Sequence, residues 1–237
     1  MLIWLLLVCA GCSSDPNAGA NAGGDDGATS SSDAEVRSSQ PAGGFASSLS
    51  EYVDSLLKDD AKAEQKMSDT QRAMLERALE HDGEVSAADY EQAWSDYKQC
   101  MVDSGYAAPV LVKYSNGIYM QATIDGGKST DDQRSKFSDD YDRCFTDTAL
   151  YVTGVYSIQV GNPELLNDGD QSVVDCLIRS DAVDRTYTKR QYQQDKERYL
   201  QQSGDTTLDF TNVSAQSCLA ANGWGINNGT VTWKPFG

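Results

Sequence analysis

The sequence is poor in basic residues and has almost no histidine. Its 237 residues include 19 Lys and Arg against 36 Asp and Glu, which gives a formal net charge of −17, and His81 is the single histidine. Such a surface repels phosphates and carries no basic cluster, so nucleic acid is excluded as a partner. Because the one histidine falls in a turn between two predicted helices, no Ser-His-Asp or Cys-His group can be built around a buried base.

Apolar runs long enough to cross a membrane are also missing. The run at the start, residues 2–10, has nine residues, whereas about 20 are needed to span a bilayer. Its last residue, Ala10, is followed by Gly11 and Cys12, and polar residues come directly after Cys12. This ending resembles the signal peptides of bacterial lipoproteins, in which an aliphatic residue and two small residues precede a cysteine. The resemblance implies that residues 1–11 are a signal peptide and that Cys12 is the lipidated residue.

In that family the cysteine is diacylated before cleavage, and two acyl chains of the palmitate type give stable attachment. The resemblance therefore implies a protein anchored through its N-terminal lipid to the extracytoplasmic face of the cell membrane. Residues 12–47 are almost wholly Gly, Ala, Ser and Asp, with too little apolar surface to fold. We expect a flexible linker that reaches about 30 to 35 Å. The linker and the spaced cysteines together resemble uncharacterised cell-surface lipoproteins of actinobacteria, a likeness that implies no activity.

Residues 48–237 are predicted to form the extracytoplasmic globular region. Apolar residues recur there at helical spacing, most clearly from Tyr90 through Trp94 to Met101, which predicts a mostly helical fold. Two β-prone runs flank Asn116-Gly117, a strong hairpin signal, and a second such turn is predicted at Asn228-Gly229. The expected fold class is α+β, mostly helical with two small β-hairpins.

Two segments of this region resemble each other. Residues 100–106 and residues 218–224 both read Cys, an apolar residue, three variable residues, Gly and an aromatic, and each precedes one of the predicted hairpins. One interpretation is a degenerate internal duplication with pseudo-repeats at about 84–160 and 171–237. The other is that helix ends resemble one another.

Four cysteines remain if Cys9 leaves with the signal peptide and Cys12 carries the lipid. An even number of cysteines in an oxidising compartment predicts disulfides. Three connectivities are open, and pairing Cys100 with Cys144 and Cys176 with Cys218 gives similar spacings of 44 and 42 residues. Each bridge would stabilise the fold by about 3 to 4 kcal/mol. Zinc is the rival explanation, but these four cysteines lie far apart with no C-x-x-C pair among them, so no metal and no cofactor is predicted.

No residue is singled out as catalytic. Tyr119, Trp224 and Trp233 lie beside the predicted hairpins and are the candidates for exposed binding aromatics. The leading hypothesis is a non-catalytic binding or scaffolding module that contacts an unknown protein or glycan of the cell envelope. Two alternatives remain open: an envelope hydrolase that uses paired carboxylates, and the solute-binding component of a transporter.

Overall fold

The structure is a computed structural model that describes residues 43–226 and 231–237. The predicted signal peptide, Cys12, the linker up to residue 42 and the Asn228-Gly229 turn lie outside the described residues. Within them the chain is mostly helical, with eight helices and four short strands. In chain order these are α1 (Leu49–Asp60), α2 (Asp69–Leu79), α3 (Ala87–Asp103), β1 (Leu111–Lys113), β2 (Tyr119–Gln121), β3 (Thr123–Ile124), α4 (Asp131–Thr148), α5 (Leu150–Gly161), α6 (Gly169–Arg179), α7 (Lys189–Gln201), α8 (Val213–Ala221) and β4 (Thr232–Trp233). No helix in this described part combines the length and the hydropathy that a membrane span requires.

The folded region begins a few residues before the predicted boundary at residue 48. The main chain of Phe45 donates to the carbonyl of Leu165, and that of Asn167 donates to the carbonyl of Gly43, each across about 3 Å. The Phe45 ring packs edge-on against Tyr52 of α1. The end of the predicted linker is therefore part of the fold, because Phe45 supplies apolar contact that the Gly, Ala and Ser before it lack.

Helix starts follow the capping residues in the sequence. Ser68 caps α2 by accepting from the main-chain N–H of Gln71 at 3.1 Å. Gln71 does not reach back to complete a capping box. Its buried amide instead donates to the carbonyls of Thr146 and Asp147, and it accepts from the N–H of Tyr151 at 2.9 Å. One side chain thus ties α2 to the junction of α4 and α5.

The first predicted hairpin is confirmed. Strands β1 and β2 pair antiparallel, with Leu111 opposite Gln121 and Lys113 opposite Tyr119. Gly117 in the turn has a φ of 87°. Glycine adopts this conformation without strain, whereas residues with a Cβ are strained there.

The second predicted hairpin is wrong in its pairing. Strand β4 pairs in parallel with β3, a segment far away in the sequence, and Ile124 lies opposite Trp233. The reason is burial: Trp233 is 1% exposed, its ring lies 5.4 Å from that of Phe137, and its Nε1 donates to the carbonyl of Ala107 at 2.9 Å. Packing of one large side chain in the core decides where the last strand goes.

The likeness between residues 100–106 and 218–224 is a likeness of helix ends. Helix α3 ends with Gly105 at positive φ and Tyr106 N–H donating to Met101, while α8 ends with Gly223 at positive φ and Trp224 N–H donating to Leu219. Helix α6 ends in the same way, with Asp181 at positive φ. Residues 224–226 form no strand, so the structure gives no support to a duplication of the whole unit.

Two apolar cores share one helix. The larger core contains buried residues of α1 to α5, the hairpin and β4, and the smaller contains residues of α6, α7, α8 and the loops between them. Helix α8 gives Cys218 and Leu219 to the smaller core and Ala221 to the larger. Helices α5 and α8 approach closely there: a Cβ added to Gly161 of α5 would lie only 2.9 Å from the backbone of Ala221. Gly161 therefore lets α8, which also carries residues of the smaller core, pack closely against α5.

Candidate functional site

The structure confirms the predicted disulfides and selects one of the three connectivities. Cys100 is bonded to Cys144 and Cys176 to Cys218, with Cα atoms 5.6 Å apart in both bridges. All four sulfurs are therefore engaged with each other and not with a metal. The first bridge joins α3 to α4, and the second joins α6 to α8.

An open cleft of about 500 Å³ lies beside the first bridge. Its charged residues are Asp96 and Asp103 of α3 and Arg143 of α4. The Arg143 guanidinium donates to the Ser104 hydroxyl at 2.9 Å and to Asp140 at 3.1 Å, and it lies 3.6 Å from the sulfur of Cys100. A hydrogen bond from Lys136, with help from Arg143 and Tyr106, lowers the pKa of Asp140 to about 2 despite partial burial. Since Asp140 already pairs with Arg143, the carboxylates of α3 dominate this cleft.

A second cleft, of about 270 Å³, lies beside the second bridge, where residues of the larger core meet the smaller one. The hairpin turn and the end of α5 form one side, and α6 and α8 form the other. Its floor includes the disulfide. The other lining residues are Ser115, Asn116, Val160, Arg179, Ser180, Ser214 and Ser217.

Two carboxylates of residues 43–226 and 231–237 are fully buried, and both hold main chain in place. Asp60 is 1% exposed, accepts from the N–H of Met67 at 2.7 Å and pairs with Arg72. Asp195 is 2% exposed and accepts from the N–H groups of Thr207 and Leu208.

Asp195 has a third partner, the hydroxyl of Tyr187, which donates to it at 2.8 Å. Burial, and then the hydrogen bond to Asp195, raise the pKa of Tyr187. The oxygens of both buried acids are occupied by structural donors, and neither acid lines the clefts described above.

Two of the three predicted aromatics are poor contact residues. Trp233 is buried, which corrects the expectation that it is exposed. Tyr119 is half-buried: Lys113 lies 4.9 Å from its ring centroid, its hydroxyl donates to Glu91 at 3.4 Å, and its ring stacks against Tyr90. Tyr119 of the hairpin therefore serves mainly in packing.

Trp224 belongs to an aromatic cluster at the surface, formed with Tyr199 and Phe210. The rings of Tyr199 and Phe210 stack at 4.2 Å, and Trp224 packs edge-on against both, at 6.0 and 5.8 Å. Phe210 is buried, Trp224 is half-buried, and Tyr199 is 39% exposed. Tyr199 is not among the predicted contact aromatics, because its spacing of seven residues from Tyr192 is typical of the apolar face of a helix. The only available signal was its position in the last turn of α7, where packing often ends.

Two kinds of candidate site thus emerge, the clefts beside the disulfides and the aromatic cluster of Tyr199, Phe210 and Trp224. Across the part of the chain that the structure describes, no three His, Cys, Asp or Glu side chains are grouped to hold a metal ion. No protein-family model, curated protein or solved structure matches the chain.

Proposed function

We propose that the protein is a lipoprotein anchored through Cys12 to the extracytoplasmic face of the cell membrane, where it acts as a non-catalytic binding or scaffolding module. The resemblance of residues 10–12 to the end of a lipoprotein signal peptide supports the anchor. Two disulfides support an oxidising compartment. The net charge of −17 opposes adsorption to anionic headgroups, so a lipid would have to hold the protein at the membrane.

The aromatic cluster is the observation that carries the binding role. Exposed aromatic rings fixed in position offer a large contact area at low entropic cost. Tyr199 is held by its stacking on buried Phe210, and Trp224 is held by the end of α8, where its N–H donates to Leu219 at 2.8 Å. The cluster is thus a rigid surface for the ring of a sugar or for an apolar side chain of an envelope protein.

The buried acids favour this proposal over a glycoside hydrolase. Such an enzyme needs a proton-donating carboxyl with a raised pKa facing a second carboxylate across the substrate. Asp60 and Asp195 are the buried carboxylates of the described residues, and both are bonded to main-chain N–H groups. Both acids are therefore used to hold the main chain, and neither lines the two clefts beside the disulfides.

Solute capture is a second candidate, and the cleft of about 270 Å³ favours it. A transporter's binding component holds its ligand between two parts of the protein. The second cleft lies where the hairpin turn and α5 face α6 and α8. Its volume is below the range of drug-sized sites, so it suits a small solute.

The anchor is tested in cells that express the full-length protein with a labelled fatty acid. We expect Cys12→Ala to abolish both the label and sedimentation with membranes. Cys9→Ala, three residues away in the same apolar run, is the matched control and should keep both. Label retained in Cys12→Ala would disprove the proposed lipid site.

The binding role is tested by retention of the full-length protein, with disulfides intact, on cell envelopes and on purified envelope glycans. We expect Tyr199→Ala to lower retention by about tenfold, since an exposed aromatic at the centre of a contact contributes about 1 to 2 kcal/mol. Tyr119→Ala, an aromatic outside the cluster, is the control and should bind normally. Equal retention of both variants would reject the cluster as the contact, and cleaved glycan in the wash would reject the non-catalytic role.

A further inference from the structure

The cleft beside the Cys176–Cys218 bridge differs in charge from the protein that surrounds it. Although the chain carries a net charge of −17, the lining residues that the structure describes include no Asp or Glu and one cation, Arg179. The cleft beside the other bridge carries Asp96 and Asp103 instead. The second cleft is therefore the one of the two whose charge favours an anion.

Arg179 retains most of its hydrogen-bonding capacity. One of its terminal nitrogens donates to the carbonyl of Gly161 at 3.3 Å, and none of the ion pairs among the described residues includes it. Arg143 at the other bridge pairs with Asp140. A guanidinium has five N–H donors in a planar fork that matches a carboxylate. Arg179 thus offers donors that no described residue uses.

Neutral groups of the cleft add donors that have no partner among the described residues. The Ser217 hydroxyl donates to the carbonyl of Val213 at 2.9 Å, so Ser115 must be the donor in the 2.7 Å bond between the Ser115 and Ser217 hydroxyls. Asn116 uses one of its two amide hydrogens on the carbonyl of Ser217. The second amide hydrogen is left over for a ligand.

Ser214 adds two further donors from the first turn of α8. Its hydroxyl has no hydrogen-bond partner among residues 43–226 and 231–237. Its main-chain N–H is one of those that a helix leaves without an internal partner, and such groups favour anions. Hydroxyl, amide and guanidinium donors therefore line the same small volume.

We propose that this cleft is a binding site for a small carboxylate, held by the fork of Arg179 and by donors of Asn116 and Ser214. The volume of about 270 Å³ equals on the order of nine waters, which limits the ligand to a small acid or to the carboxylate end of a longer molecule. The inference rests on solute capture, the second candidate function, and is independent of the lipid anchor and of the aromatic cluster.

The test is a titration of the full-length protein, disulfides intact, with acetate, followed by amide chemical shifts. Acetamide, which has the same shape and no charge, is the matched ligand. We expect saturable shifts with acetate at residues 213–218 and at Arg179, and none with acetamide. Arg179→Gln should weaken acetate binding by about tenfold or more, the usual loss for a charge-assisted hydrogen bond. Arg143→Gln at the other cleft should leave it unchanged.

The possible failures are distinguishable. Equal shifts with acetate and acetamide would overturn the carboxylate assignment while leaving solute capture in place, and so would saturable binding of inorganic phosphate without binding of acetate. Undiminished acetate binding by Arg179→Gln, with the rest of its spectrum unchanged, would overturn the role of the guanidinium. An absence of shifts in the cleft with all three ligands would overturn both the inference and solute capture.

Discussion

The bridge from Cys100 and the bridge from Cys176 start from the same position in a helix. Each cysteine lies four residues before a serine that ends its helix, Ser104 or Ser180, and that serine's N–H donates to the cysteine's carbonyl at 3.0 Å. The serine hydroxyls lie 3.7 and 3.5 Å from the sulfur of the cysteine across the bridge. Local geometry at the two bridges is therefore nearly identical.

The residues just before the two serines carry opposite charges. They are Asp103 in α3 and Arg179 in α6, and each lines the cleft beside its own bridge. Backbone geometry at a helix end is set by capping and by the left-handed residue that follows, neither of which depends on the charge of the preceding side chain. The same helix-end geometry therefore occurs at both bridges, with side chains of opposite charge beside it.

The surroundings of the bridges differ in size as well. Among the described residues, 21 buried residues form the larger core and 11 form the smaller. Helices α3 and α4 are also joined by rings, since Phe145 lies 5.8 Å from Trp94 and 5.6 Å from Tyr97. The smaller core therefore has less buried apolar surface to keep it folded when its disulfide is removed.

The largest effect is expected from removing the second bridge by replacing Cys176 and Cys218 with alanine. A loop of 42 residues gives a loss of about 4 kcal/mol by chain entropy. Because the smaller core has 11 buried residues against 21 in the larger, we expect α6 to α8 to unfold separately. Hydrogen exchange by mass spectrometry should show lost protection in residues 169–221 and retained protection in α3 and α4.

The matched control removes Cys100 and Cys144. The loop of 44 residues predicts an almost equal loss, about 4 kcal/mol, but the aromatic contacts between α3 and α4 should keep their amides protected. If both double variants lose protection throughout the chain, the two cores form one cooperative unit and the comparison between them fails.

The second prediction concerns the junction of the cores and compares two glycines of α5. Gly161→Ala places a methyl group 2.9 Å from the backbone of Ala221, so α5 and α8 must separate, at a cost of about 1 to 3 kcal/mol. Gly154 has nothing within 4 Å of the added Cβ, and Gly154→Ala should stabilise the protein by about 0.5 to 1 kcal/mol through helix propensity. Urea unfolding of both variants measures the difference. Equal effects would mean that the close contact at Gly161 does not limit how the cores pack.

Local features of this fold could be predicted from the sequence where short-range chemistry decides them. The hairpin at Gly117 and the presence of disulfides follow from residue type and spacing, whereas spacing alone leaves three connectivities open. The parallel pairing of β4 could not be predicted, because it depends on the burial of Trp233 against a helix far away in sequence. Long-range packing leaves no periodic signal in a two-residue strand.

The candidate sites were predictable to a smaller extent. Trp224 is predicted as a contact residue from its place beside a predicted hairpin, but its partner Tyr199 has the spacing of a core residue although it is 39% exposed. The second cleft joins Asn116 of the hairpin to Arg179 of α6, residues more than sixty positions apart. Neither residue type is unusual alone, so only the folded chain shows that their donors lie at one cleft.

The smallest expected effect concerns the charge of Asp140, which lies beside the first bridge. Hydrogen bonds from Lys136, Arg143 and Tyr106 hold its pKa at about 2, below its usual value of 3.8. A carboxyl whose pKa is lower in the folded state stabilises the protein above the unfolded pKa, and this stabilisation is lost as the pH falls from about 4 toward 2. Because Lys136 and Arg143 are largely exposed, water screens the interaction and we expect it to contribute less than about 1 kcal/mol.

Asp140→Asn should remove this part of the acid dependence of urea unfolding, whereas Asp139→Asn, at the exposed neighbouring position, should not. A carboxyl signal of Asp140 that titrates near 4 in an NMR experiment would contradict the assignment and would leave Arg143 without the partner that distinguishes it from Arg179.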